Sequence, residues 1–315
     1  MEYLKTEGYY DLNINIEAFN DDCREIALKY LYSFGYRTIA INHSIDDRNL
    51  ETNKKKKGRD SLGAPDCLPK IFDIELLKAC ASKLGLSNFT FLTRLTIIFS
   101  NRDNIQKIIK SPNFKKFDLI AVTPVTHTAF MFTCSNLDAD ILSYDPENKI
   151  SLKLSRKLYF QLVDKGYHFE LLYSPAIQDA SKRKNLIHLS HLYHSFGKSK
   201  NVIVSSGAEH HYLIRSPYDI ISLGQLFGLN ELQSKNAVLH STRNVVVNAV
   251  GRRHGKAVML VENLEPEVSI QEALCAESSD EDMNEEEPAQ KKSKKNAYLV
   301  QDPYTQIGCA HDMPL

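Results

Sequence analysis

The 315-residue sequence predicts an α/β fold: a parallel sheet closed or nearly closed into a (β/α) barrel, followed by a disordered tail. Three observations lead there. Short apolar, β-branched runs alternate with amphipathic stretches about seven times over the first 230 residues. The runs are mostly apolar along their whole length, as strands covered by helices on both faces must be. No GxGxxG follows the first run and no GxxxxGK[ST] occurs anywhere, which removes support for the two best-marked nucleotide-binding versions of an open parallel sheet.

Strands are expected at residues 10–14, 38–43, 91–99, 119–125, 141–144, 169–173 and 201–205. The clearest helices are 21–34, capped by Asp21 and stopped by Gly35, and 181–196, capped by Ser181 and stopped by Gly197. Segment 46–69 carries Lys54-Lys55-Lys56-Lys57-Gly58-Arg59 and two prolines, and reads as a mobile basic loop after the second strand. Ser216-Pro217 opens a further helix, and residues 231–250 are expected to form the next one. From residue 265 the chain has too few apolar side chains to offset its ordering entropy, so residues 1–264 read as the folded domain and 265–315 as the tail.

The formal net charge of zero conceals a division. Residues 277–315 hold nine acids and four lysines, which leaves the rest with 35 basic and 30 acidic residues. A mildly basic body is a weak pointer to nucleic acid. No apolar run approaches the ~18 residues of a spanning helix, and the first residues are too polar for a secretory signal, so a soluble intracellular chain is expected. Cys23, Cys67, Cys80, Cys134, Cys275 and Cys309 form no CxxC pair, which argues for reduced thiols over a zinc knuckle or a disulfide scaffold.

Chemistry in such a barrel collects at the C-terminal ends of the strands. A metal reading would enlist Asp11, His43, Glu209 and one of His210 or His211, but Asn13 is a poor zinc ligand and adjacent histidines point apart in extended backbone. His188, His191 and His194 lie opposite the apolar stripe of their helix and read as a solvated face. Arg94 interrupts an apolar run, so it is either an ion pair inside the barrel or an anion site at its mouth. Arg215 either pairs with Asp219 or faces an anion. Lys182, Arg183 and Lys184 are either a surface charge run or an anion site at a helix start. Arg243, Arg252, Arg253, His254 and Lys256 lie in a stretch, residues 233–261, that contains no acid, so counter-charge from outside the chain is expected.

Ala40-Ile41-Asn42-His43, Leu92-Thr93-Arg94-Leu95-Thr96-Ile97-Ile98, Glu170-Leu171-Leu172-Tyr173-Ser174-Pro175-Ala176-Ile177, Asn201-Val202-Ile203-Val204-Ser205-Ser206 and Ile214-Arg215-Ser216-Pro217-Tyr218-Asp219 occur in this order. Together, across residues 10–256, they resemble the thirty-kilodalton protein subunit of eukaryotic ribonuclease P, which is shared with ribonuclease MRP. The resemblance implies a TIM-barrel-like fold related to the PHP phosphoesterases, in a non-catalytic RNA-binding subunit of a particle whose RNA matures the 5′ end of precursor tRNA. Asp11-Leu12-Asn13 stands where a PHP enzyme would carry His-x-His, so no cofactor or tight metal is expected; the competing reading is a metal-dependent phosphoesterase using the same barrel mouth.

By motif match the resemblance assigns Arg94 and Arg215 to RNA. Charge adds Arg252, Arg253, Lys256, Lys182, Arg183, Lys54 and Lys55. The expected partners are the ribonuclease P and MRP RNA, precursor tRNA, and a small ferredoxin-like protein subunit. The helix after Pro217 is apolar on two sides, and Tyr218, Leu223, Leu226 and Phe227 are expected at that protein interface unless the next helix covers them. Lys291-Lys292-Ser293-Lys294-Lys295 predicts a nuclear and nucleolar address, and Ser278 and Ser279, before Asp280-Glu281-Asp282, are expected phosphorylation sites.

Overall fold

A computed structural model describes residues 8–20, 23–48, 68, 71–147 and 153–255. Among them, β1 (Tyr9–Asn15), β2 (Tyr36–Asp46), β3 (Thr90–Phe99), β4 (Leu119–Pro124), β5 (Ile141–Leu142), β6 (His168–Leu172) and β7 (Val202–Ser205) pair in chain order, each neighbour parallel. Past β7 the chain closes toward β1: the Gly207 N–H donates to the Asn13 carbonyl at 2.8 Å and the Asn15 N–H to the Ala208 carbonyl at 2.9 Å. The result is a nearly closed, TIM-barrel-like cylinder of seven strands.

The helices are α1 (Arg24–Ser33), α2 (Ile74–Lys83), α3 (Arg102–Ile109), α4 (His127–Asn136), α5 (Arg156–Asp164), α6 (Tyr173–Gln178), α7 (Ala180–Gly197), α8 (Pro217–Leu226), α9 (Glu231–Val238) and α10 (His240–His254). Alternation within the strands sorts the core into two shells. Ile39, Ile41, Leu95, Ile97, Val122, Phe169 and Leu171 face outward and pack under the helices. Tyr10, Leu12, Ala40, Leu92, Leu119, Ala121, Ile141 and Ile203 face inward, where Val245, Val246 and Ala249 of α10 pack against them. Helix α10 thus plugs the N-terminal end of the barrel.

Four local expectations are corrected. Strand β2 runs on to Asp46 because Ser44, Ile45 and Asp46 pair with Thr96, Ile97 and Ile98. The buried Asp47 carboxylate then accepts N–H bonds from Ser100 and Asn101 at 2.9 and 3.0 Å, and Leu68 is buried too, so both ends of the expected loop 46–69 are packed. Helix α7 continues through Gly197, and the turn is made by Lys198 in left-handed geometry at φ 52°. Gly197 serves packing instead: an added Cβ would lie 1.9 Å from Cε1 of Tyr159. Finally, residues 231–250 are two helices, since Leu239 (φ −122°, ψ −73°) leaves helical geometry and lets α10 turn onto the barrel end. The basic run 54–59, Lys256 and the tail lie outside the described residues.

Candidate functional site

Above the apolar layer the barrel interior is polar, and Arg94 is its centre. Both Arg94 and Glu170 are completely buried, and the guanidinium meets the carboxylate through two parallel bonds of 2.5 and 2.7 Å. Arg94 also donates to the Leu12 carbonyl at 2.8 Å and to Thr96 Oγ1 at 3.1 Å. Thr96 in turn donates to Asn42 Oδ1 at 2.7 Å, and Ser143 Oγ donates to Glu170 at 2.6 Å. Burial by itself would raise the Glu170 pKa, but Arg94 and the Ser143 hydroxyl hold it below the ordinary carboxylate range. Of the two readings of Arg94, the structure therefore takes the ion pair, and the assignment of Arg94 to RNA is corrected: its charge is spent inside the barrel.

Asp11 lies in the seam between β1 and the chain beyond β7. Its Oδ1 accepts the Ser206 N–H at 3.1 Å and the Asn13 N–H at 3.2 Å, while Oδ2 is buried with no hydrogen-bond partner. Desolvation pushes its pKa up to about 6, against the pull of those N–H groups. The remaining metal candidates are scattered. His43 points away from the interior and sits edge-on to Phe117 at 6.0 Å, and Glu209 and His210 are exposed. Among the described residues no three His, Cys, Asp or Glu side chains are placed to hold a metal ion. The donor set does not fit a hydrolytic centre: Glu170 is already neutralised by a guanidinium, and Asn13 offers it an amide at 3.4 Å.

The other basic candidates separate by partner. Arg252 forks onto Asp140 with two bonds of 2.9 Å and reaches the Asp118 carbonyl at 3.1 Å, while Arg253 pairs with the Asp118 carboxylate. Both carboxylates lie at the starts of strands, so these arginines pin α10 across the barrel end and their counter-charge comes from within the chain. Lys182 is paired with Glu147 at 3.1 Å, and the start of α7 is already occupied by the Asp179 side chain, which accepts the Ser181 and Lys182 N–H groups. Arg183 is exposed and donates to the Ala176 carbonyl at 3.3 Å. Arg215 is exposed and forms no ion pair with Asp219. Its backbone is held on both sides: its N–H donates to Tyr173 Oη at 3.1 Å and its carbonyl accepts from Tyr36 Oη at 3.0 Å. Lys54, Lys55 and Lys256 lie outside the described residues.

On α8, Tyr218 and Leu226 are each 69% exposed, Leu223 is half-buried and Phe227 is buried. Helix α9 covers part of the second apolar side, with Ser234 against Gly224 so closely that a Cβ there would lie 2.4 Å from the serine oxygen. Phe227 is buried and so withdrawn from the expected interface, whereas Tyr218 and Leu226 stay in water. One feature was invisible in the sequence. Tyr30 of α1 and His210, His211 and Tyr212 after β7 assemble into a surface array of rings. Its one trace in the sequence is the run His210-His211-Tyr212, of which the metal reading enlists either histidine.

The model for the family described as RNase P subunit p30 matches residues 8–254 of this chain. The chain is 31% identical over 221 residues to the mouse ribonuclease P protein subunit p30, covering 70% of this chain and 78% of that protein. It is 22% identical over 230 residues to the Saccharomyces cerevisiae ribonuclease P/MRP protein subunit RPP1, covering 73% of each. In fold it resembles a chain in the cryo-EM structure of archaeal ribonuclease P with mature tRNA, at a TM-score of 0.57 and 15% identity over 82% of this chain and 99% of that one.

Proposed function

This chain belongs to the RNase P subunit p30 family, and from that premise we propose that it is a protein subunit of ribonuclease P, shared with ribonuclease MRP, that binds the particle's RNA and brings no nuclease centre of its own. The observation that carries the last part is the Arg94–Glu170 pair. In a barrel hydrolase the interior carboxylates and imidazoles converge on a cation. Here the central carboxylate is bound by a guanidinium at 2.5 and 2.7 Å, and the positive charge repels a cation from the same space.

RNA contact then falls to exposed cations, with Arg215 foremost. Lys54, Lys55 and Lys256 are proposed to add diffuse phosphate contacts. The exposed Tyr218 and Leu226 are proposed to dock a protein subunit, of the small ferredoxin-like kind that the sequence resemblance implies. A nuclear and nucleolar address through Lys291–Lys295 belongs to the same proposal.

The test is to purify the tagged full chain from cells under mild conditions and sequence the RNA that accompanies it. The proposal expects two structured RNAs, those of ribonuclease P and ribonuclease MRP, together with precursor tRNA. Purification free of RNA would overturn it.

A further inference from the structure

We propose that Tyr30, His210, His211 and Tyr212, with Arg215 beside them, form a stacking platform for the unpaired bases of a single-stranded RNA segment. This inference rests on the function proposed above and specifies where, and by what chemistry, part of the RNA is held.

The rings come from two places far apart in sequence. Tyr30 and His211 lie nearly parallel, with centroids 6.1 Å apart and planes inclined by 26°. His210 and Tyr212 form a second stacked pair at 5.3 Å and 18°. Tyr212 stands edge-on to His211 at 5.8 Å and 82°, which joins the two pairs into one array. Packing of this kind normally belongs to a core, yet Tyr212 is 60% and Tyr30 47% exposed. Rings held partly exposed by their neighbours are preformed partners for another flat ring. Every nucleobase offers such a face, whatever its identity.

The charges nearby favour bases over duplex backbone. Arg215 follows Tyr212 by three residues, so at most ~11 Å of chain separates them. Its backbone is fixed by the two tyrosine hydroxyls, and its guanidinium is exposed with no ion pair among the described residues. Lys29 on α1 is exposed as well, but so are Glu25, Glu209 and Asp219. A patch this mixed makes a poor general trap for phosphates. One fixed arginine beside an aromatic ledge suits a strand whose bases stack while one phosphate is held.

The test uses the full chain with a single-stranded RNA of ~12 nucleotides and with the same sequence as a duplex. Expected are preference for the single strand, and losses of about tenfold in affinity for Tyr212→Ala and for Tyr30→Ala with the salt slope unchanged. Tyr212→Phe should bind like the wild type, because it keeps the ring. Arg215→Ala should instead flatten the salt slope by about 0.7, the value for one phosphate on a single strand. Both alanine sites are well exposed, so folding is not at issue; circular dichroism verifies it. Equal affinity in the alanine variants, equal binding of the duplex, or no binding of the single strand would overturn the platform. So would variants that keep RNA affinity but lose a protein subunit on purification. If the wild-type chain purifies without cellular RNA, the subunit function fails; if RNA accompanies it and the ring variants bind unchanged, only the platform fails.

Discussion

Replacing Arg94 by Met removes a guanidinium from a place where neither it nor its partner touches water. The Glu170 carboxylate keeps the Ser143 hydroxyl at 2.6 Å but loses both charge-assisted bonds. Breaking one side of a buried pair costs about 3–5 kcal/mol, a large share of the ~5–15 kcal/mol that holds a domain folded. In the wild type, the pair keeps the Glu170 pKa low in the fold, so its stabilisation is present above the unfolded value of about 4.3 and is lost as pH falls below it. In Arg94→Met the sign reverses. The unpaired carboxylate titrates high, so the deficit is greatest at neutral pH and shrinks on acidification. Urea unfolding at pH 7 and pH 5 reads the variant's deficit, and a further titration near pH ~3 reads the wild-type loss. The double variant Arg94→Met, Glu170→Gln should recover much of the loss, since no charge is left buried. If Arg94→Met unfolds at the wild-type urea concentration and instead loses RNA affinity, the structural account of Arg94 is wrong.

Other expectations follow from the same bonds. Asp11→Asn keeps an acceptor for the Ser206 and Asn13 N–H groups and removes a charge whose folded pKa is raised to about 6. Because ionisation above that pH opposes folding, the variant should be more stable by about 2–3 kcal/mol at pH 8 and show no advantage by pH 4, measured by urea titration across pH. Gly197→Ala drives a methyl into the Tyr159 ring, which is stacked on Phe169 at 4.0 Å and tied by its hydroxyl to the Lys200 carbonyl. A loss of about 2 kcal/mol, lowering Tm by roughly 4–8 °C, is expected by calorimetry. Arg252→Ala strands the buried Asp140 and should cost about 3 kcal/mol while leaving the salt slope of RNA binding unchanged; a flatter slope at full stability would return Arg252 to the RNA surface.

What the sequence revealed depended on the range of the interaction. All seven strands were legible because each is a local apolar run between breakers. The end of β2 was not, since Ser44 and Asp46 look like loop residues until β3 supplies their ladder. The break at Leu239 was hidden because leucine is a good helix former, and the barrel end decides where α10 must lie. Three of the basic candidates have acidic partners that no local pattern shows. Arg94 finds its acid 76 residues away, and Arg252 and Arg253 find theirs 112 and 135 residues away, so a stretch without acids looked in need of an external partner when the fold already supplied one. Arg215 has no such ion pair among the described residues, because its neighbour Asp219 does not turn back to it. The ring array at Tyr30 could not be read from a pattern, since closure of β7 onto β1 creates it.

We propose that the chain is a subunit of ribonuclease P that carries no nuclease centre of its own. The direct measurement is cleavage of precursor tRNA by two preparations: the particle purified through this chain, and the chain alone after complete removal of RNA by nuclease. Correct 5′ cleavage by the particle, abolished by nuclease treatment, is expected, with none by the chain alone whatever divalent metal is supplied. Cleavage by the RNA-free chain, dependent on added metal and lost in Asp11→Ala, would contradict it.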